Sequence, residues 1–545
     1  MSDSATDYDV IVIGAGINGL GIAQDGAARG LRVIVLEKDD ICSGVSAWSG
    51  RLVHGGLRYL EHRDFALVRE SLRERERLFR NAPHLVKPVR LLMPNYKHNR
   101  RPAWLIRLGM IAYDVLSFDK KTQRHEVLNL KKTKRRFPGI GTRGLTGSVA
   151  FTDGQVEYAE RLCVEVAIAA AASGATIRTK AHVDDVIMDG GRVVGVRYRD
   201  TRTGAHHEVR APLILNVAGP WIDRVFGGDT PPQPRLNGGT KGSHLIVDPF
   251  PGAPSDVVYY ESRHDGRLVL VIPWMGRYLI GTTDQRFDEN PDGARCDTEE
   301  MTYLLSEVND LIPEAKLTPA DVLFTYSGVR PLPYAPDVSE WEVPRSHVLH
   351  DHAPSLPGVV TVVGGKLTTY RQLAQDAIDD AFVRLGRTAP PCTTVDLRLP
   401  GAVDDPTELI ASLERRGVSR RTAERLATLY GTRASRIVDR GVADPSLLEV
   451  FDEPTGAIEA ELVFAVQEEF AVTLTDVLAR RLVIAFDPDH GYGSLDRSVD
   501  RLGRLLGWDD ARRSAEIAEY VEWVNRLAVP GSQGLSPRQR TEERV

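Results

Sequence analysis

Cysteine and long apolar runs are both scarce in this chain of 545 residues. The four cysteines, Cys42, Cys163, Cys296 and Cys392, stand far apart, without CxxC or other metal-ligand spacing. They predict reduced thiols, and the sequence implies no metal site. No stretch reaches the roughly 20 apolar residues that cross a bilayer. The start MSDSATDYD is polar and acidic rather than a secretory signal, so we expect a cytoplasmic protein.

Charge is nearly balanced over the whole chain but concentrated locally. The net charge of -6 and the pI of about 6.2 give no indication of a nucleic-acid partner. Between Lys87 and Arg136, however, 14 lysines and arginines stand against three acids, around the apolar segment PAWLIRLGMIAYDVL. Two interpretations stay open: a helix lying on an anionic membrane surface, and a buried helix with solvated basic loops around it.

The hydrophobic pattern predicts several domains. Apolar runs at 8–13 and 31–37 enclose a small-residue helix pattern, which indicates a βαβ unit, and the runs 213–219 and 358–366 are typical of further buried strands. The predicted fold class is α/β plus α+β, with a Rossmann-like domain, a mostly antiparallel β domain and a helical C-terminal domain. We predict the Rossmann-like domain at 1–75, 150–225 and 345–387, the β domain at 76–149 and 226–344, a linker at 388–406, the helical domain at 407–528 and a polar tail at 529–545. Within the helical domain, apolar residues four apart over 458–478 predict one continuous helix.

The segment GAGING, Gly14 to Gly19, fits the GxGxxG fingerprint of dinucleotide-binding folds. Its context favours a ligand over a plain glycine turn, because it follows an apolar strand, opens a helix and precedes Glu37 at the end of a second strand. Gly14 permits the tight turn, Gly16 lets a pyrophosphate approach the backbone, and Gly19 lets helix and strand close together. Glu37 is placed to accept hydrogen bonds from ribose hydroxyls.

The pattern favours FAD over NAD as the dinucleotide. The motif opens the chain, yet the sheet is completed only by the segments 213–219 and 358–366. Such discontinuity is typical of FAD-dependent oxidoreductases of the glutathione-reductase and amino-acid-oxidase type, and no second GxGxxG is present for a nicotinamide cofactor.

Longer motifs carry a family resemblance. In chain order they are VIVIGAGINGLGIAQDGAARGL, HGGLRYLE, KGSHLIV, VIPW, LIGTTD, YSGVRPL and VVGGKLTTYR. Together they resemble the FAD-dependent glycerol-3-phosphate dehydrogenases of the aerobic, quinone-linked type, and AELVFAVQEEFAVTLTDVLARR is similar to their helical domain. The likeness covers about residues 8 to 525. It implies oxidation of sn-glycerol 3-phosphate to dihydroxyacetone phosphate, with electrons passed to a quinone, by a peripheral protein on the inner face of the cell membrane.

The resemblance assigns two arginines to the substrate phosphate. Arg58 in HGGLRYLE and Arg330 in YSGVRP match the positions of a phosphate clamp, and planar guanidinium donors suit phosphate oxygens. Two alternatives stay open: a surface ion pair of Arg58 with Glu61 or Asp64, and a carboxylate-binding role for Arg330, as in amino-acid and glycine oxidases.

Oxidation of a secondary alcohol also requires a base for the hydroxyl proton. His244 in KGSH is the candidate, because imidazole titrates near working pH, although a lone histidine is often only structural. Lys366 in GGKLTTY offers a fixed positive charge beside the flavin or substrate. Tyr59, Thr283 and Asp284 resemble further pocket positions.

The predicted cofactor contacts extend beyond the glycine motif. Ordinary turn chemistry is the alternative for the glycine turns VAGPW and GGKLTT. The full set comprises Gly14, Gly16, Gly19, Glu37, Ser43, Ser49, His54, Gly55, Val183, Ala218, Gly219, Gly365, Lys366, Leu367 and Thr368. The chain departs from the family pattern at Trp48, Gly50 and Arg51, which puts flavin phosphate contacts there in doubt.

Rival functions follow from the same residues. One is a flavin oxidase that passes electrons from glycerol 3-phosphate, an amino acid or a 2-hydroxy acid to oxygen. Another is a flavin-binding interaction protein without turnover. The sequence leaves the electron acceptor and the oligomeric state open, with a homodimer as one possibility.

Overall fold

The computed structural model describes residues 7–60, 64–118, 122–226, 235–338, 343 and 345–532, without the side chains of Arg58 and Tyr59. Most of the predicted polar tail therefore lies outside the described residues.

The strands are numbered here in chain order. They are β1 (Val10–Ile13), β2 (Val33–Leu36), β3 (Leu52–Val53), β4 (Val86–Tyr96), β5 (Glu126–Asn129), β6 (Leu145–Val156), β7 (Thr176–Arg178), β8 (Ala181–Asp189), β9 (Arg192–Asp200), β10 (His206–Arg210), β11 (Leu213–Asn216), β12 (Thr240–Val247), β13 (Val257–Glu261), β14 (Leu268–Trp274), β15 (Arg277–Gly281), β16 (Gln285–Arg286), β17 (Val322–Arg330), β18 (Val348–Asp351), β19 (Val359–Val363), β20 (Val450–Asp452) and β21 (Ala457–Ile458).

The helices are numbered in the same way. They are α1 (Ile17–Ala28), α2 (Phe65–Asn81), α3 (Ala103–Leu116), α4 (Leu130–Arg136), α5 (Ala159–Ala172), α6 (Thr298–Leu311), α7 (Tyr370–Arg384), α8 (Thr407–Arg415), α9 (Arg420–Tyr430), α10 (Ala434–Ala443), α11 (Glu459–Glu468), α12 (Leu495–Leu506) and α13 (Asp510–Asn525).

The first sheet explains the runs of consecutive apolar residues. Its strand order is β18-β19-β11-β1-β2-β7, and all neighbours are parallel except β18 and β19. Val10 and Val12 of β1 join a core with the helices that cover one face. Ile11 and Ile13 join a second core with β8 and β9, part of a small antiparallel sheet on the other face. Both faces are buried, so these strands carry no alternation of polar and apolar residues.

The second main sheet is mostly antiparallel. Its order is β16-β12-β15-β14-β13-β4-β6-β3, with β17 paired to β12 and β5 to β6. One face packs on α6 through a core that includes Leu245, Ile280, Leu304 and Val308. With the parallel sheet and the C-terminal helices, this arrangement confirms the predicted fold class.

The C-terminal helices are held against the parallel-sheet region by buried ion pairs. Arg480 and Arg481 bind Asp40 at 2.5 and 2.7 Å, and Arg161 of α5 binds Glu469 at 2.6 Å. All these side chains are at most 3% exposed. A buried charge is costly unless it is paired, so these contacts fix how the two parts meet.

The prediction of one continuous helix over 458–478 is wrong. Helix α11 ends at Glu468, and Phe470 takes a φ of +61°, which an α-helix excludes. Glu469 lies between these two residues, and its carboxylate accepts hydrogen bonds from Arg161 and Arg433. The break in the helix thus places Glu469 among the buried ion pairs. A short π-helix, Asp476–Arg481, follows. The four-residue spacing continues across the break because both pieces are buried.

Candidate functional site

A cavity of about 1520 Å³ lies between the two main sheets. Its walls come from the glycine turn after β1, the segment 43–57, the ends of β11 and β19, and strands of the antiparallel sheet. Typical small-molecule pockets measure roughly 300 to 1,000 Å³. The cavity is therefore large enough for a dinucleotide and a small substrate together.

Most of the predicted site residues line this one cavity. They are Gly14, Gly16, Glu37, Ser43, Ser49, His54, Val183, Ala218, Gly219, His244, Asp284, Arg330, Gly365, Lys366, Leu367 and Thr368. Gly19, Gly55 and Thr283 are described but do not line it. The side chains of Arg58 and Tyr59 lie outside the described residues, so their predicted contacts stay a prediction.

The glycine turn has the geometry that the fingerprint requires. Gly14 has a φ of +107°, and a Cβ there would stand 2.8 Å from the carbonyl oxygen of Val217. A Cβ on Gly19 would overlap the carbonyl oxygen of Gly14, so Gly19 acts in packing rather than as a cavity wall. Gly16 and Asn18 at the start of α1 line the cavity, where a helix N-terminus favours phosphate groups. These residues fit a dinucleotide.

Glu37 is fixed beside this turn. Its carboxylate accepts hydrogen bonds from the backbone amides of Ala15 at 2.7 Å and Asp39 at 2.8 Å. Burial raises the pKa of this carboxyl group, and the two amides oppose that rise. Because Glu37 still lines the cavity, its position suits an acceptor for ribose hydroxyls.

The structure places Gly55 and Thr283 behind the cavity wall, which differs from the predicted contacts. The amide of Gly55 donates to the hydroxyl of Tyr113 at 3.1 Å, and any larger side chain would overlap Leu72. Thr283 donates to Glu300 at 2.6 Å, whereas its neighbour Thr282 lines the cavity. Successive side chains of an extended segment point to opposite faces, so Thr282 and Asp284 share the cavity side.

Two arginines meet one carboxylate on the cavity wall. Arg330 donates to Asp284 at 2.9 Å and to the hydroxyl of Thr282 at 2.9 Å. Arg345, which also lines the cavity, lies 3.5 Å from the other oxygen of Asp284, and Arg267 donates to the backbone carbonyl of Asp284 at 2.6 Å. Arg330 and Arg345 thus bring two guanidinium groups to one carboxylate on the cavity wall, and guanidinium donors suit an anionic ligand.

His244 lies on β12, the strand that pairs with β17, which carries Arg330. The side chain is 3% exposed, and its ring packs on Tyr326 with 4.8 Å between centroids. Burial, with the positive charges of Arg330 and Arg51, lowers the pKa of His244 to about 3. The imidazole is therefore neutral at physiological pH and has the protonation state of a proton acceptor.

Lys366 follows β19 and brings an ammonium group to the cavity. Its Nζ donates to the hydroxyl of Ser71 in α2 at 2.9 Å. Gly365, just before it, has a φ of +95°, and a Cβ there would stand 2.5 Å from the side-chain nitrogen of Asn18. The turn therefore passes directly beside the start of α1, which places Lys366 near the dinucleotide end of the cavity.

The departures from the family pattern have a structural explanation. Arg51 is fully buried and forms a bidentate pair with Glu160 at 2.6 and 2.8 Å. Trp48 packs its ring on Tyr326 and on Trp523 of α13. Arg51 thus belongs to the protein interior, while Trp48 and Gly50 line the cavity.

Sequence reasoning missed several cavity residues. Arg345 stands in no motif, so no sequence signal indicates it. The alternation of side chains in LIGTTD indicates Thr282, because it places Thr282 on the same face as Asp284. The apolar rim formed by Phe65, Leu105 and Leu108 brings α2 and α3 to the cavity, a contact between distant segments that local patterns do not show.

Comparisons with known proteins agree with this geometry. Residues 9–371 match the family described as FAD dependent oxidoreductase, and residues 392–513 match the C-terminal domain of alpha-glycerophosphate oxidase. The chain is 42% identical to the glycerol-3-phosphate dehydrogenase of Synechocystis sp. over 96% of this chain and 98% of that protein. It is 32% identical to the aerobic glycerol-3-phosphate dehydrogenase of Staphylococcus aureus over 97% of this chain and 95% of that protein.

A solved structure extends the comparison to the whole fold. The glycerol-3-phosphate dehydrogenase of Bacillus halodurans, complexed with FAD, matches with a TM-score of 0.80 and 27% identity, covering 98% of this chain and 97% of that one. Fold, glycine turn and cavity together define a flavoprotein oxidoreductase whose cofactor is FAD. Within that class, the chain belongs to the glycerol-3-phosphate dehydrogenase family.

Proposed function

We propose that this protein oxidises sn-glycerol 3-phosphate to dihydroxyacetone phosphate and passes the electrons to a membrane quinone. The observation that carries the proposal is the cavity itself. It joins the dinucleotide turn at Gly14, the neutral imidazole of His244 and the arginine cluster around Asp284. A phosphate monoester with a secondary hydroxyl group needs an anion site beside a proton acceptor, and both are present.

FAD, when bound, supplies the two-electron acceptor for the carbon-bound hydrogen. Gly14, Gly16, Glu37, Gly219 and Gly365 are the residues we assign to holding it. In the substrate part of the cavity, Arg330 binds the phosphate, with Arg58 as a second ligand from the resemblance.

His244 takes the hydroxyl proton. Burial is the main cause of the low pKa of His244, and the charge of Arg330 lowers it further. A bound phosphate next to Arg330 would cancel part of that second effect and so strengthen the base. Lys366 contributes positive charge at the junction of cofactor and substrate. Asp284 and Thr282 orient the guanidinium group of Arg330 rather than contact an anion.

A steady-state assay with an artificial dye tests the substrate. The expected result is dihydroxyacetone phosphate formed in equal amount to reduced dye from glycerol 3-phosphate, with no turnover of glycerol, glycine or lactate. Turnover of glycine or lactate at a comparable rate would make Arg330 a carboxylate ligand, as in the amino-acid oxidases. Full FAD loading without turnover of any of these compounds would support a flavin-binding protein without catalysis.

The electron acceptor is tested separately, because the cavity alone does not define it. With glycerol 3-phosphate as donor, a short-chain quinone should be reduced at least tenfold faster than oxygen under air saturation. Hydrogen peroxide formed in equal amount to product would assign an oxidase instead.

Helix α3 supports a membrane contact. None of the helices in the described residues combines the length and apolar character of a bilayer span. On α3, however, Trp104, Leu108, Ile111 and Val115 are 53 to 66% exposed. Ile106, Met110 and Tyr113 are buried on the opposite side of the helix. Of the two predicted arrangements, the exposed apolar outer face favours a helix that lies on a membrane surface.

Basic residues accompany this helix in the sequence. Lys97 and Arg100 precede α3 and Arg107 lies on it, all three exposed, and Leu105 and Leu108 also form part of the cavity rim. Apolar anchors with adjacent cations suit an anionic lipid surface. We infer that α3 rests on the inner face of the cell membrane and brings the cavity rim to the bilayer from which a quinone arrives.

A double substitution tests this contact. L108E/I111E is expected to reduce binding to vesicles of phosphatidylcholine and phosphatidylglycerol at least tenfold in a flotation assay, because two charges would enter the acyl region. The matched control V383E/V442E changes two valines that are 77 and 81% exposed elsewhere and should bind as the unchanged protein does. Equal binding by L108E/I111E and the control would remove α3 from the membrane face.

A further inference from the structure

An aromatic stack connects helix α13 with His244. Trp523 of α13 packs on Trp48 with 6.0 Å between ring centroids and 33° between planes. Trp48 packs on Tyr326 at 5.6 Å, and Tyr326 packs on His244 at 4.8 Å. Trp48, Tyr326 and His244 are each at most 9% exposed. The C-terminal helices therefore reach the cavity through a continuous row of rings.

Hydrogen bonds fix the middle of this stack. The hydroxyl of Tyr326 donates to the carbonyl oxygen of Ser49 at 2.7 Å, next to Trp48. The residues that follow α13 bind β17 at Thr325, one residue before Tyr326. The amide of Thr325 donates to the carbonyl oxygen of Leu527 at 2.8 Å, and its hydroxyl donates to the carbonyl oxygen of Ala528 at 3.1 Å. The strand that carries Tyr326 and Arg330 is thus held by the C-terminal segment as well as by its own sheet.

His244 depends on packing for its orientation. Its Nδ1 is buried and has no hydrogen-bond partner among the described residues. A functional histidine is usually oriented by a hydrogen bond at the ring nitrogen that does not react. Here Tyr326 covers one side, and Gly281 of β15 lies so close that a Cβ there would overlap the ring. Among the described residues, packing against Tyr326 and Gly281 is therefore what orients the ring.

We propose that the C-terminal helical region positions the catalytic imidazole through this aromatic stack, with Trp48 and Trp523 as positioning residues. The proposal rests on the assignment of His244 as the base under the proposed function. His244 and Tyr326 lie in the motifs KGSHLIV and YSGVRPL, whereas Trp48 is one of the positions where the chain departs from the family pattern. The stack gives the C-terminal helices a part in the reaction although they do not line the cavity.

The substitution Trp523→Leu in the FAD-loaded enzyme tests the proposal. It should lower the rate constant of flavin reduction at saturating glycerol 3-phosphate by between about 10- and 100-fold, because small displacements of a reacting group have large effects on rate. FAD content and the KM for glycerol 3-phosphate should stay within about twofold. Trp523→Phe, which keeps a ring in the stack, should restore most of the rate.

A pH profile separates positioning from a general loss of structure. When the stack loosens, water reaches His244 and its pKa rises from about 3 toward the ordinary value. The variant should then lose activity on the acid side of neutrality, where the unchanged enzyme does not. The matched control is Trp508→Leu, since Trp508 is 8% exposed in the core of the C-terminal helices and is not part of the stack.

Each outcome bears on the proposal. An equal rate loss in Trp523→Leu and Trp508→Leu, with no change in the pH profile, would contradict it. If Trp523→Leu does not fold, Trp48→Phe should show a smaller rate loss with the same acid-side change, and a normal rate and profile in that variant would overturn the proposal. If His244→Ala itself reduces flavin normally, the base assignment fails instead, which is a distinct result.

Discussion

Replacing Arg330 by alanine is expected to raise the KM for glycerol 3-phosphate by about 100-fold while FAD stays bound. The guanidinium group lines the cavity, and its charge acts on His244. Truncating one partner of a close charged pair costs roughly 2 to 5 kcal/mol. Asp284 adds to the effect. Without Arg330, the carboxylate of Asp284 would keep Arg345 as a neighbour. Less positive charge would then offset this carboxylate, so it would repel the incoming phosphate more strongly.

The measurement is the dependence of flavin-reduction rate on substrate concentration, with FAD content from the absorption spectrum. Arg330→Lys should recover only part of the affinity, because an ammonium group does not reproduce the bidentate geometry. Arg197→Ala, which changes an exposed arginine of the small antiparallel sheet, serves as the control. An unchanged KM in Arg330→Ala would remove this residue from the phosphate site.

His244→Ala is expected to slow flavin reduction by roughly 100- to 10,000-fold, the range in which a positioned base contributes. The KM should change little, because the imidazole accepts a proton and does not carry the phosphate. FAD should remain bound, since we assign its binding to the glycine turn and Glu37 rather than to His244. Stopped-flow reduction at saturating substrate measures this rate directly.

The pH dependence provides the second half of this test. The pKa of His244 is lowered to about 3, so the base is already deprotonated at neutral pH. In the unchanged enzyme, kcat/KM should therefore show no loss from His244 protonation between pH 7 and pH 5. His207→Ala, an exposed histidine of β10, is the control. A normal reduction rate in His244→Ala would end its candidacy as the base.

The sequence predicted the parallel sheet and its glycine turn well, because both follow local rules. A buried strand, a tight turn and a helix N-terminus occupy one continuous stretch from Val10 to Ala28, and the later strands β11 and β19 repeat the pattern of an apolar run ending in glycine. The long motifs then located most of the predicted site residues that line the cavity, since several motifs lie at the end of a strand that borders it.

Features that depend on contacts between distant segments were not predictable in this way. The pair of Arg51 with Glu160 joins residues 109 positions apart, and nothing near Arg51 in the sequence indicates a buried partner. The break after α11 depends on Glu469 reaching Arg161 of α5. Thr282 differs from these cases: it lines the cavity while the predicted Thr283 does not, and the alternation of side chains in LIGTTD was enough to indicate it.

The most direct test of the central claim is anaerobic mixing of the FAD-loaded protein with glycerol 3-phosphate while the flavin absorption is recorded. The account predicts rapid and complete bleaching by this compound and none by glycerol, glycine or lactate, since the arginine cluster and His244 must act on one molecule that carries both a phosphate and a secondary hydroxyl group. A flavin that stays oxidised with glycerol 3-phosphate, or one that is bleached equally by a carboxylate substrate, would contradict the assignment while leaving the FAD-binding fold intact.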